Sequence, residues 1–254
     1  MKNVIFYFSG TGNSLQVAQD ISEEIGDCEL ICIPKYNRSK PIRYDSVGFV
    51  YPTYFWGLPN IVRKFLSDIR IEGATYLYGV TTMGGSLGVS LIQLRKGLRA
   101  KGYKLHAGFF IYMPDNYVVM YAPLSKEKIE KMLAVEKEKI PKIAENILSR
   151  SELPLEITHT VYDRLLGNVL NKTIVPRFYK KDKGFHVSEE CTRCGKCRHV
   201  CSVGNITLTD GRPTWQHHCE FCMGCINVCP VKAINFKNKT QKRGRYFNFK
   251  SMLS

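Results

Sequence analysis

Residues 191–230 read CTRCGKCRHVCSVGNITLTDGRPTWQHHCEFCMGCINVCP, and the spacing of their eight cysteines decides how this part of the chain folds. One pattern occurs twice, Cys191-x2-Cys194-x2-Cys197-x3-Cys201 and, 28 residues on, Cys219-x2-Cys222-x2-Cys225-x3-Cys229-Pro230. Three thiols at i, i+3 and i+6 on a short loop can wrap three corners of an iron–sulfur cube, and the fourth ligand must come from elsewhere. Zinc sites pair one C-x2-4-C with a second, distant pair. A tandem triple-plus-one run therefore predicts two 4Fe-4S clusters. The segments after the two runs also match, Val203-Gly204-Asn205-Ile206 against Val231-Lys232-Ala233-Ile234, the trace of a duplicated half. Between them, Ile206 to Trp215 alternates about Asp210-Gly211 and predicts a β-hairpin.

Over residues 184–237 the chain resembles the bacterial two-cluster 4Fe-4S ferredoxins. The resemblance implies that the last cysteine of each run serves the other cluster. Cys191, Cys194, Cys197 and Cys229 then hold one cluster, and Cys219, Cys222, Cys225 and Cys201 the other. Ser202 stands where these ferredoxins usually have proline. That affects local loop geometry and not ligation.

Upstream, residues 1–150 alternate strand and helix signals as a parallel α/β sheet does. Strands are expected at Asn3–Phe8, Glu29–Ile33, Ser46–Tyr51, Thr75–Thr82 and Leu105–Tyr112, and helices at Leu15–Ile25, Ile61–Ile69, Leu91–Lys101 and Lys126–Leu148. Pro141 is expected to kink or divide the last helix. The first strand runs into Ser9-Gly10-Thr11-Gly12-Asn13-Ser14. A dinucleotide fingerprint would need glycine where Leu15 stands, so that reading fails. What remains is a hydroxyl-rich loop at a helix N-terminus, suited to a phosphate.

With this strand–helix order, the loop resembles the flavodoxins, whose phosphate loop binds the FMN phosphate. The resemblance implies a flavodoxin-like, doubly wound, five-stranded parallel sheet, followed by a small α+β ferredoxin domain. It implies FMN contacts from Ser9, Thr11, Gly12, Asn13 and Ser14. Two further loops fall at the carboxyl ends of strands three and four, where such sheets bind ligands. Pro52, Thr53, Tyr54, Phe55, Trp56 and Gly57 form the first, with Tyr54 and Trp56 as candidates to stack on the flavin ring. Thr82, Met83, Gly84, Gly85 and Gly88 belong to the second, whose glycines let backbone approach the ring edge. That loop lacks the second aromatic many flavodoxins carry, which leaves one flavin face open. Asp115, Asn116 and Tyr117, after strand five, are polar candidates at the same edge or members of an ordinary turn.

The formal net charge of +15 raises the question of nucleic acid. Two clusters and one FMN would subtract about 6 charges, and no groove-reading or stacking element accompanies the basic residues. A nucleic-acid role is not expected. Residues 231–254 carry Lys232, Lys237, Lys239, Lys242, Arg243, Arg245 and Lys250 without an acid, which reads as a solvated tail or a docking patch for an acidic redox partner. No stretch approaches the roughly 20 apolar residues of a membrane span, and Val4–Phe8 is too short for a signal peptide. A reduced cytoplasmic setting in an anaerobic or micro-aerobic cell is expected. Cys28 and Cys32, on one face of the second strand, read as small buried residues.

Three segments follow: a flavodoxin-like domain over 1–150, a linker or interface over 151–183, and a ferredoxin-like domain over 184–254. In the linker, Val161, Leu165, Leu166, Val169 and Leu170 form an apolar stripe expected to pack across the domain interface. The whole resembles the flavodoxin–ferredoxin fusions of anaerobes. This implies electron transfer between the clusters and FMN, relayed to or from another redox protein; the alternative is a flavoenzyme reducing a small substrate or oxygen. No histidine stands out as a general acid, since His159, His186, His199, His217 and His218 are linker or cluster-flanking residues and His106 begins a strand.

Overall fold

The computed structural model describes residues 2–157 and 160–248, so His159 and Lys250 lie outside the described residues. Five strands, β1 (Asn3–Tyr7), β2 (Cys28–Cys32), β3 (Ser46–Pro52), β4 (Tyr76–Met83) and β5 (Ala107–Tyr112), form one sheet in the order β2-β1-β3-β4-β5. All four pairings are parallel. β1, β3 and β4 are buried almost throughout, as strands covered on both faces must be. Helices α1 (Asn13–Ile25) and α4 (Lys126–Leu148) cover one face, packing Val17, Ile21, Ile143 and Ile147 on Ile5, Tyr78 and Val80. Helices α2 (Asn60–Asp68) and α3 (Ser90–Arg99) cover the other, packing Phe65, Leu66, Leu94 and Leu98 on Phe6, Phe49 and Leu77. Each such side chain contributes about 1.5–3 kcal/mol on burial. The strand order reverses between β1 and β3, and the crevice at their carboxyl ends is where this topology takes a ligand.

α4 runs unbroken through Pro141. Pro141 is exposed, so solvent can serve the carbonyl that its missing N–H leaves free, and the helix is not divided. Cys28 and Cys32 are only partly buried, because β2 is an edge strand. Beyond α4 the extended chain lies along β5, with Leu153 N–H donating to His106 O (3.0 Å) and Glu156 N–H to Gly108 O (2.9 Å).

After α5 (Val161–Ile174) and a 3-10 segment (Val175–Gly184), the chain builds two small antiparallel pairs. β6 (Phe185–Val187) pairs with β9 (Ile234–Phe236), and β7 (Ile206–Thr209) with β8 (Arg212–Trp215). The β7–β8 hairpin turns on Asp210 (φ 50°) and Gly211 (φ 78°), the left-handed pair that a tight two-residue turn needs. Short helices α6 (Lys196–His199) and α7 (Gly224–Val228) follow the two cysteine loops.

α5 does not dock as its apolar stripe predicts. Of the five stripe residues, Val161, Leu165 and Val169 are 81%, 61% and 51% exposed, and Leu166 and Leu170 are half-buried, while Gly167 and Asn171 are buried. The helix approaches the backbone of Trp56 so closely that a methyl on Gly167 would sit 2.7 Å from the Trp56 carbonyl oxygen. Asn171 Nδ2 donates to the carbonyls of Tyr54 (2.7 Å) and Leu58 (3.1 Å). Close approach and carbonyls needing donors select the small and polar face over the apolar one.

Candidate functional site

The loop between β1 and α1 presents an uncapped helix end. Gly12, at φ 95°, precedes α1, which has no side-chain cap and no acid in its first turn. The positive end of the helix is thus left for an anion. Thr11 and Ser14 are each 1% exposed. Ser14 Oγ bonds Thr82 Oγ1 at 2.8 Å, and Thr11 Oγ1 accepts from Asn116 Nδ2 at 2.5 Å.

A second wall is the turn after β3. Tyr54 N–H donates to Gly57 O (2.8 Å) and Gly57 N–H to Tyr54 O (2.9 Å), with Phe55 and Trp56 between them at φ 43° and 60°. Val89 N–H donates to Trp56 O at 2.7 Å and holds the turn from the other side. The Tyr54 ring lies 6.2 Å from both Phe8 and Phe178. Burial, and next the charge of Cys222, push its phenol well above the ordinary value.

These walls enclose a cavity of about 270 Å³. Of the residues anticipated from sequence, Ser9, Thr11, Asn13, Ser14, Pro52, Thr53, Tyr54, Phe55, Trp56, Thr82, Met83, Gly84 and Gly85 line it; Gly12, Gly57 and Gly88 do not. Those three glycines serve backbone geometry instead. Gly12 and Gly88 adopt positive φ, and Gly57 closes the aromatic turn. Asp115, Asn116 and Tyr117 also line the cavity, with Met113, Met120 and Tyr121. Sequence reasoning missed Phe178, Phe221 and Cys222, which come from the second half of the chain. Tyr117, Phe178 and Phe221 pack edge to face or tilted upon one another. Aromatic rings thus reach the cavity from beyond the sheet domain, at Phe178 and Phe221.

The cavity fits the phosphate and flat ring of FMN. Its polar end is a helix N-terminus with two buried hydroxyls, its apolar end is aromatic, and glycines open the fourth-strand loop.

The cysteines fall into two sets. Cys191, Cys194, Cys197 and Cys229 surround one small cavity. Cys201 lies within electrostatic reach of Cys219, Cys222 and Cys225, and burial first, then these neighbouring thiols, hold Cys225 well above its usual range. Burial pushes Cys197 up to about 11 and Cys222 up to about 12. Such thiols ionise when iron supplies positive charge. Backbone N–H groups already aim at sulfur, from Asn205 to Cys201 Sγ and from Phe221 to Cys219 Sγ, both at 3.2 Å. Among the described residues no three His, Cys, Asp or Glu side chains converge as the shell of a single ion, whereas a cube spreads four thiolates over separate irons. The donor sets fit two cubes.

The halves are joined through this region. A methyl on Gly10 would sit 2.5 Å from the carbonyl oxygen of Cys222, so the Ser9–Ser14 loop and the second cysteine loop touch backbone to backbone. Glu220 Oε2 accepts from Ile61 N–H at 3.1 Å in the first turn of α2, and burial pushes its carboxyl up to about 7. Lys232, Lys237, Lys239 and Lys242 are exposed, but the last described residues are not solvated. Tyr246 OH bonds Asn13 Oδ1 (2.8 Å), Asn248 N–H donates to Thr11 O (2.8 Å), and Arg245 donates to the carbonyls of Ile226 and Ile234.

A flavodoxin-domain family model matches residues 4–140, and a 4Fe-4S dicluster domain model matches residues 190–234. The chain belongs to the flavodoxin family, fused to a 4Fe-4S ferredoxin domain. This flavodoxin–ferredoxin fusion is thus a flavin and iron–sulfur redox protein, with FMN and 4Fe-4S clusters as its cofactors. Its ferredoxin part is 36% identical over 59 residues to the polyferredoxin protein MvhB of Methanothermus fervidus, covering 22% of the fusion and 14% of that protein's length. Among solved structures, the fusion is similar to a flavodoxin of Streptococcus pneumonia TIGR4 (14% identity, TM-score 0.41, 58% of this chain and 97% of that one). It is also similar to an FMN-dependent NADH-azoreductase of Bacillus anthracis (10% identity, TM-score 0.41, 58% and 100%). No helix among the fusion's described residues is long and apolar enough to cross a membrane.

Proposed function

We propose that the chain is an electron-relay protein in which two 4Fe-4S clusters and FMN lie on one internal path, exchanging electrons with another redox protein. The observation that carries this reading is the position of Cys222, which belongs to a cysteine set and lines the flavin cavity beside Ser9, Thr11 and Ser14. Cys191, Cys194, Cys197 and Cys229 are assigned to one cluster, and Cys201, Cys219, Cys222 and Cys225 to the other. The Ser9–Ser14 loop is assigned to the FMN phosphate, and the turn Tyr54–Gly57 with Met83–Gly85 to its ring. When bound, FMN supplies the step between one-electron and two-electron chemistry. The protein's part is to hold the donors and acceptors close and dry. Tyr54, Phe178 and Phe221 fill the space beside Cys222 with aromatic rings, and the backbone contact of Gly10 with Cys222 holds the two halves together. The sheet domain is assigned past 150 as far as Glu156, which bonds β5, and α5 with the 3-10 segment serves as the joint.

The test is a stopped-flow measurement. After rapid reduction of the clusters, bleaching of the flavin should follow at a rate independent of protein concentration. A rate rising in proportion to concentration would mean transfer between molecules and overturn the internal path.

A further inference from the structure

The two cysteine sets differ in what covers them. The set containing Cys222 lies under the sheet domain, pinned by Gly10, by Glu220 on α2 and by Phe221 against Tyr117. The other set faces outward. Cys194 is exposed, as are Thr192, Arg193, Lys196 and Val231, all five lining the Cys191–Cys229 cavity, and among the described residues no acid lines it. The loop Cys191–Cys201 carries Arg193, Lys196 and Arg198 without an acid, and Lys232 follows on the other rim. The nearby acids do not cancel this charge. Glu189 is paired with Arg212 at 2.7 Å, leaving Glu190, Asp210 and about −2 from a bound cluster against four cations. The sum is near zero, but Arg193, Lys196, Arg198 and Lys232 are all exposed while Cys191, Cys197 and Cys229 are partly or fully buried, so positive charge is what the rim presents. The Arg193 side chain is laid against the hairpin turn, its Cδ 3.0 Å from where a Gly211 methyl would sit, so part of the positive rim is held in place. A small apolar centre, Val231 at 38% exposure beside Thr192 and Cys194, sits inside a cationic ring. That is the make-up of a small, transient, charge-steered interface.

We infer that this face is the docking surface for an acidic redox protein of about ferredoxin size, which exchanges electrons one at a time with the cluster assigned to Cys191, Cys194, Cys197 and Cys229. The inference rests on the relay reading above. In each encounter the partner's reduced iron–sulfur centre loses one electron and the cluster gains one, with no bond made or broken. Two encounters supply the pair that a two-electron acceptor needs. The cationic ring attracts the partner, and the exposed Cys194 edge brings the two centres together.

The experiment uses the holoprotein with Arg193→Glu and Lys196→Glu combined, and a small acidic two-cluster ferredoxin as the probe. Binding of the oxidised ferredoxin is measured by calorimetry at low and high salt, and the second-order rate of electron delivery from the reduced ferredoxin by stopped flow. At low salt both affinity and rate should fall at least about tenfold, and the difference from the parent should shrink as salt screens the charges. Lys172→Glu with Lys180→Glu, exposed cations on α5 and the 3-10 segment, should leave both unchanged. Iron and sulfide are counted in every variant; if the double reversal loses its cluster, Arg193→Gln with Lys196→Gln takes its place, with a smaller loss expected. Binding and rate that ignore the rim charges, or that fall equally in the Lys172/Lys180 variant, overturn the docking face. Charge-sensitive docking whose electron does not pass inward at a concentration-independent rate would instead remove the relay reading and leave the docking face standing.

Discussion

Phe55 and Trp56 hold the least comfortable backbone in the site. Two bulky residues in succession at positive φ cost about 1–2 kcal/mol each relative to ordinary backbone. The conformation persists because its surroundings over-determine it. Val89 and Asn171 bond the turn's carbonyls, and Gly88 and Gly167 let neighbouring backbone close on Trp56. The result is that Tyr54, Phe55 and Trp56 all reach the flavin cavity from one turn. At the polar end, Thr11 and Ser14 are the buried hydroxyls proposed to hold the phosphate. Replacing both by Ala should remove charge-assisted hydrogen bonds worth on the order of 3 kcal/mol together. FMN binding should weaken about a hundredfold, while riboflavin, lacking the phosphate, should change far less. Fluorescence titration of both ligands into the flavin-free protein decides it, and equal weakening would place the phosphate elsewhere.

At the scale of elements, the contact of α4 with α1 contains a conflict. Glu136 is 2% exposed on the same face as Ile140 and Ile143, and it meets Asp20 of α1. Glu136 Oε1 and Asp20 Oδ2 are buried, and among the described residues no group other than these two carboxyls themselves is there to bond them. Burial first, and then the Asp20 charge, hold the Glu136 carboxyl well above the ordinary carboxylate range. The folded chain therefore keeps a proton that the unfolded chain releases once pH passes the ordinary value of 4.5. Stability is then fully present below that value and is lost as pH rises through the raised one. Glu136→Gln should flatten this dependence and stabilise the holoprotein on the alkaline side, by on the order of 2 kcal/mol. Anaerobic thermal melts at about pH 6 and about pH 9 should show a smaller drop in Tm for the variant. An equal drop would mean that another group carries the pH dependence.

For the whole molecule, the crossed cysteine sets make the ferredoxin part a single unit. Cys229 closes the outward set and Cys201 joins the set beneath the sheet domain. Cys201→Ala should accordingly damage the inner cluster while sparing the outer one, lowering iron and labile sulfide from about eight each per chain toward about four. Chemical analysis with low-temperature spectroscopy of the reduced protein would check it. Loss of the outer cluster first would reverse the assignment.

Much of this architecture is legible in the sequence wherever the deciding physics is local. Cysteine spacing, the apolar runs of β1, β3 and β4, the Asp210-Gly211 turn and the Ser9–Ser14 loop each carry their meaning within a dozen residues. Together they give the flavodoxin-like sheet, the ferredoxin domain and the cofactors. That the halves dock is anticipated from the linker; which residues meet is not legible. Phe178, Phe221 and Cys222 reach the flavin cavity only because the ferredoxin part folds back on the sheet's carboxyl edge. The apolar stripe of α5 is covered only in part, at Leu166 and Leu170, since the helix is turned by Gly167 and Asn171, which answer to the backbone at Trp56, Tyr54 and Leu58, more than 100 residues away in sequence. The basic segment from 231 reads as a solvated tail or a docking patch; its Lys232, Lys237, Lys239 and Lys242 are exposed, yet Tyr246 and Asn248 close on Asn13 and Thr11. Periodicity states which side chains share a face. Which face is covered, and by what, depends on surfaces from distant parts of the chain meeting in three dimensions.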